Sequence, residues 1–237
     1  MSKFLYTQPK GVVDTFEVIK NILFQEGFSS TLKKIYKHLL YKLKGVDFEF
    51  QSLENLTIQS KNRAFGTLCG SSNESTVKHL LDSLVKLDST ILDGSFVDIG
   101  SGKGKLIIYA KEYGFSHTIG VEFAKELYDI TVKNIKALNI KGVEVIHQDA
   151  VEYTLPPQTR VIYFLNPFEP TVFNKLLPKF IAQMQQLKEP VYLVYRVPTY
   201  SKVFENYKEL KHIKRVNFRG DISEVYLFEN LTISDPF

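Results

Sequence analysis

Tryptophan is absent from the 237 residues, and cysteine occurs once, at Cys69. A lone cysteine excludes an internal disulfide, and with it the small stapled scaffolds of secreted proteins. A reducing compartment, the cytoplasm, is the expectation. No apolar run approaches the roughly 20 residues that span a bilayer, so no transmembrane segment is expected. The opening Met1-Ser2-Lys3-Phe4-Leu5-Tyr6 has neither a long apolar stretch nor a small-residue cleavage site, so no signal peptide is expected either. The glycosylation-type triplets starting at Asn55, Asn73 and Asn230 then carry no weight. Charge is nearly balanced, 30 basic against 26 acidic residues, which permits an acidic partner without arguing for one. The five histidines, His38, His79, His117, His147 and His212, show no metal-ligand spacing, and no metal is expected. Internal repeats and low-complexity tracts are missing too.

What remains is an ordinary globular composition, 44% apolar and 24% charged, long enough for one sizeable domain with an appendage. Residues 1–60 read as a helical N-terminal extension. Val12, Val13, Phe16, Ile19, Ile22 and Leu23 form one apolar stripe, which Gly27 breaks. Ser29-Ser30-Thr31 offers a cap for a second helix. There Leu32, Ile35, Tyr36, Leu39, Leu40 and Leu43 keep helical spacing, Lys33, Lys34, Lys37, Lys42 and Lys44 decorate the other faces, and Gly45 ends it. From Phe28 to Lys44 no acidic residue occurs. That is either a solvated lysine face on a core-packed helix or a basic face for an acidic protein segment, nucleic acid or anionic lipid. Cys69–Asn73 reads as a loop, and Ser75 to about Leu87 as a helix.

From Ser95 the pattern changes to alternating strands and helices. Phe96-Val97-Asp98-Ile99 leads into Gly100-Ser101-Gly102-Lys103-Gly104-Lys105, then a helix over 103–113. Glycine is required where the backbone takes positive φ or a ligand approaches closely. A helix starting behind such a turn aims free N–H groups and its positive dipole end at the occupant. The dinucleotide fingerprint would need glycine at position 105, which is Lys105, and no phosphate-binding Walker spacing is present. Further strands are expected at 118–123, 143–149, 160–165 and 191–195. Helices are expected at 124–139, at 171–187 with an interruption at Pro178, and at 199–209. A terminal hairpin, 213–219 and 223–228, turns at Gly220-Asp221. Such alternation implies a mostly parallel sheet covered by helices on both faces.

Three more positions fall at the carboxyl ends of strands, where an adenosine-containing ligand would sit. Glu122 can hydrogen-bond ribose hydroxyls. Asp149 can accept from an adenine amine, with the small Ala150 leaving room for the ring. Asn166-Pro167-Phe168 closes the fourth strand.

This set, with the spacing D-x-G-x-G-x-G, resembles the class I S-adenosylmethionine-dependent methyltransferases across residues 75–230. The resemblance implies a Rossmann-like seven-stranded sheet of order 3-2-1-4-5-7-6, last strand antiparallel, in a domain spanning 61–237. It implies S-adenosyl-L-methionine as cofactor, held by Asp98, Gly100, Gly102 and Gly104 at its methionine part, by Glu122 at the ribose and by Asp149 with Ala150 at the adenine. Asn166, Pro167 and Phe168 would face the methyl acceptor. Asn166-Pro167-Phe168 has one proline where amino-directed base methyltransferases have two. The wider pattern is similar to a little-studied bacterial branch resembling histone-lysine methyltransferases of the telomeric-silencing type and mitochondrial and archaeal protein-lysine methyltransferases. On that resemblance the favoured acceptor is a protein lysine amine, ahead of a small metabolite and nucleic acid. A non-catalytic cofactor-binding module is the competing class. Tyr163, Tyr195, Arg196 and Glu169 are further pocket candidates, with structural roles the stronger reading for each.

Overall fold

The computed structural model describes residues 28–49 and 74–229. The chain forms two compact units, Met1–Val46 and Asp47–Phe237. The expected stripe at Val12–Leu23, the Cys69–Asn73 loop and the Asn55, Asn73 and Asn230 triplets lie outside the described residues.

The first unit contributes helix α1 (Phe28–Leu43). It begins earlier than Ser29-Ser30-Thr31 implies, and these three residues lie within its first turn. Gly45, at φ 71°, ends it in a Schellman arrangement: the Val46 amide reaches Tyr41 O at 2.9 Å and the Gly45 amide reaches Lys42 O at 3.1 Å. Leu32, Tyr36, Leu39 and Leu43 on its apolar stripe are exposed, so this is not a core-packed face.

The second unit runs α2 (Glu74–Val85), β1 (Ser95–Ile99), α3 (Lys105–Tyr113), β2 (His117–Glu122), α4 (Lys125–Leu138), β3 (Val143–His147), β4 (Thr159–Leu165), α5 (Pro170–Met184), β5 (Val191–Arg196), β6 (Lys211–Phe218) and β7 (Asp221–Phe228). The seven strands form one sheet of order 3-2-1-4-5-7-6. Strands β1 to β5 pair in parallel, while β7 runs antiparallel to both β5 and β6. The expected architecture is therefore the observed one.

Strand alternation divides the core. Val97 and Ile99 of β1 share one face with Ile162 and Phe164 of β4, under the apolar side of α5. Phe96 shares the other face with Val161, Tyr163 and Val194, under α2 and α3. Asp98 stands on this second face, in a strand that is buried at every position.

Three local expectations are corrected. Pro178 does not interrupt α5; it sits inside a continuous helix. The lost backbone bond, to the carbonyl four residues back, is outweighed by Phe173, Leu176, Leu177, Phe180 and Ile181, all buried on one side. The hairpin turns at Arg219-Gly220 rather than Gly220-Asp221. Both central residues have positive φ, 56° and 82°, as a type I′ turn demands. The helix expected over 199–209 is a short 3₁₀ segment, Ser201–Asn206.

Candidate active site

Each strand of the parallel half ends at the same rim, and backbone hydrogen bonds join the ends of β1, β2 and β3. The loop after β1 leans on β2: the amides of Gly100 and Ser101 donate to Val121 O at 2.9 and 3.1 Å. Gly100, Gly102 and Gly104 all take positive φ, 81°, 56° and 76°. Their lack of a Cβ is also spatial. A Cβ on Gly100 would stand 3.0 Å from Pro167 Cβ, and one on Gly104 would stand 2.4 Å from Thr131 Cγ2. The first contact places the loop after β4 directly against the loop after β1.

Glu122, at the end of β2, is 3% exposed and holds the glycine loop from below. Its Oε2 accepts from the Gly102 amide at 2.8 Å and its Oε1 from the Ala124 amide at 2.9 Å. The Gln148 amide donates to Glu122 O at 3.0 Å, bringing in the end of β3. One residue later Asp149 accepts from the Val151 amide at 3.0 Å, at the start of the Ala150–Glu152 turn. Ala150 is buried beside it.

Asp98 has the least satisfied environment in this group. It is 3% exposed, and its Oδ1 makes no hydrogen bond among the described residues. Burial, then the neighbouring Glu122 charge, push its carboxyl up to about 8. Burial likewise raises Glu122 to about 7, against the pull of the Ala124, Gly102 and Phe123 amides. Two buried carboxyls thus share a place suited to a cation.

At the fourth strand, Asn166 takes φ 40°. Its Oδ1 accepts from Tyr195 Oη at 2.8 Å, and Tyr195 Oη accepts from the Tyr200 amide at 3.3 Å. Burial holds the Tyr195 hydroxyl well above its ordinary value, so it stays a proton donor. Leu165 and Arg196 are paired across β4 and β5. One residue beyond that pair, both chains are left-handed: Asn166, and Val197 at φ 52°. For a β-branched residue this is strained, and such strain gathers at binding rims. Phe168 turns inward, 6% exposed, edge-on to Phe173 with ring centres 5.8 Å apart. It anchors the loop from the core side. Of the other pocket candidates, Tyr163 is core, Arg196 pairs with Asp221 across β5 and the start of β7, and Glu169 opens α5.

Sequence reasoning missed three supporting residues. Thr131 Oγ1 donates to Gly102 O at 2.9 Å. Asn134 Nδ2 donates to Lys103 O at 3.0 Å and to Asp47 O at 2.8 Å, while its Oδ1 accepts from the Asp47 amide at 2.9 Å. The Asp47 carboxylate in turn grips Lys103 Nζ at 2.7 Å. Burial opposes the charged form of Asp47, but the Lys103 bond and the Glu49 amide outweigh it and keep this carboxyl below its usual range. A signal was present for two of them: Thr131 and Asn134 are polar residues on the buried side of α4, beside Leu127.

The residues fit S-adenosylmethionine. Its ammonium and sulfonium are cations that the buried, unbonded Asp98 oxygen can meet. Its backbone-hugging amino-acid end suits three glycines, and its ribose hydroxyls suit Glu122. Comparison with known proteins agrees. Residues 93–169 match a family described as "Putative methyltransferase". Ribosomal protein L11 methyltransferase of Clostridium perfringens is 28% identical over 136 residues, 55% of this chain and 42% of that protein. The chain thus spans less than half the length of that relative. An RNA methyltransferase from Salinibacter ruber, solved with S-adenosyl-L-homocysteine, superposes with a TM-score of 0.51 at 18% identity, over 71% of this chain and 97% of that one. At that identity the likeness is one of fold. In its fold, its glycine cradle and the match over residues 93–169, this chain is similar to the class I S-adenosylmethionine-dependent methyltransferases.

Proposed function

We propose that the chain transfers a methyl group to a protein lysine amine positioned next to Asn166-Pro167-Phe168. The observation that carries this reading is the relay Tyr200 N–H to Tyr195 O–H to Asn166 Oδ1, on a loop whose Pro167 rests against Gly100. It fixes the orientation of the Asn166 side-chain amide, with Oδ1 as its accepting atom. An amine N–H is the partner that such an oxygen takes, and holding it aims the nitrogen lone pair.

When bound, S-adenosylmethionine supplies an already activated methyl group. Asp98, the glycine loop and Glu122 hold the cofactor's position, with Asp149 and Ala150 toward the adenine. Asn166 orients the nitrogen, and Pro167 with the inward Phe168 excludes water from the junction of the two loops. Alignment of this kind provides most of the rate, so a strong base is not obligatory. A lysine amine must shed its proton to water before attack, and burial at the site would lower its pKa by disfavouring the charged form. The relative's name supports a protein acceptor, because the sequence likeness is to an enzyme named for a ribosomal protein. Nucleic acid and small metabolites are the alternatives.

Labelled methyl transfer into a fractionated cell lysate tests the acceptor. Label should enter protein, on lysine, and Asn166→Ala should abolish it while leaving S-adenosylhomocysteine binding intact. Label confined to RNA or to small molecules would overturn the amine reading, and no label in any fraction would favour the non-catalytic module.

A further inference from the structure

We infer that α1 is a docking element for an anionic lipid surface, a binding function separate from methyl transfer. The helix carries its apolar residues outward. Phe28 is 70% exposed, Leu32 50%, Tyr36 69%, Leu39 52% and Leu43 85%. On the polar side Thr31 is 2% exposed, Lys34, Lys37 and Tyr41 are partly buried, and His38 and Lys44 are exposed. That is the reverse of a helix that serves a water-soluble core.

The arrangement around the axis names the occupant. At about 100° per residue, the apolar arc runs from Ile35 to Leu40 over roughly 140°. Lys42 stands about 20° beyond one edge and Lys33 about 20° beyond the other. Both are exposed. Lysines flanking an apolar arc on both sides can lay their stems along the acyl boundary and place their ammonium groups among anionic headgroups. No acidic residue interrupts the segment from Phe28 to Lys44. A nucleic-acid backbone would use the lysines but leave the apolar arc in water. A second copy of the helix would bury the arc but crowd like charges. An anionic bilayer satisfies both features, and at 16 residues α1 lies on such a surface rather than crossing it.

Vesicle co-sedimentation of the full chain provides the test, with equal parts phosphatidylglycerol and phosphatidylcholine against phosphatidylcholine alone. The protein should sediment with the anionic vesicles, weakly with the neutral ones, and less as salt is added. Leu39→Gln with Leu43→Gln removes exposed apolar groups and keeps helix propensity. It should weaken vesicle binding roughly tenfold or more without shifting the melting temperature. Lys33→Gln with Lys42→Gln should remove the preference for anionic vesicles. Absence of vesicle binding would overturn the inference. So would binding that survives the paired leucine substitutions, or a dimer on gel filtration that those substitutions split.

Discussion

Asp98 is the residue whose replacement should separate stability from function. Burial and Glu122 raise its carboxyl from an ordinary 3.8 to about 8. A group raised on folding contributes stability that is complete below its unfolded value and lost as pH rises through the folded one. Ligand-free protein should therefore weaken between about pH 4 and pH 8. At 1.36 kcal/mol per pH unit, ionising Asp98 costs up to ~4 kcal/mol at neutral pH. Asparagine has nearly the same shape and never ionises. Its amide, placed where Oδ1 has no partner, costs about 1–3 kcal/mol in return. Asp98→Asn should then be stabilised by roughly 1–3 kcal/mol at pH 7, by about 2–4 kcal/mol at pH 8, and be neutral or weaker at pH 5. The same change should cut S-adenosylhomocysteine affinity at least about tenfold, since a charge-assisted contact to the ammonium is gone. Urea denaturation of ligand-free wild type and variant, from about pH 5 to pH 8, reads the effect. The wild-type minus variant difference cancels most of the Glu122 titration, apart from its coupling to Asp98. A variant destabilised equally at both ends would refute the argument, because the penalty would then be packing rather than charge.

Other consequences concern the supports of the same site. Binding a cation beside Asp98 and Glu122 favours their ionised forms, so S-adenosylmethionine affinity should rise with pH across about 6 to 8 and binding should release protons; calorimetry in buffers of different ionisation heat measures this. Asp47→Ala takes the carboxylate from a Lys103 side chain that is only 11% exposed, so the melting temperature should fall, while cofactor affinity falls several-fold and turnover at saturation is kept. Gly104→Ala should damage both fold and binding, since its Cβ meets Thr131 Cγ2 at 2.4 Å and its φ is 76°. Adding Thr131→Ser, which deletes that methyl but keeps the hydroxyl, should recover part of the loss. No recovery in a thermal melt would assign the damage to backbone conformation alone.

The sheet was legible because its strands read as short apolar or β-branched runs and the helices between them leave few topologies. The positions of the glycine loop, Glu122 and Asp149 could be read for a related reason: each follows a strand, so spacing along the chain maps onto spacing along the rim. Asp47 was not, because it reaches Lys103 across 56 residues of sequence and nothing local marks it. Asn166 announced itself by its place after β4, but its relay through Tyr195 depends on register between β4 and β5. Pro178 misled because propensity is local and the packing of α5 is not. The outward apolar face of α1 was invisible for the same reason. Periodicity reports an apolar face, not what lies against it.

The proposed cofactor is cationic and adenosine-bearing and would be held between Asp98, the glycine loop and Glu122. Titrating the full chain with S-adenosylhomocysteine and, separately, with NAD in a calorimeter tests that most directly. One S-adenosylhomocysteine should bind per chain, with no heat from NAD and none from S-adenosylhomocysteine added to Glu122→Ala. Binding of NAD alone, or undiminished S-adenosylhomocysteine affinity in Glu122→Ala, would contradict it.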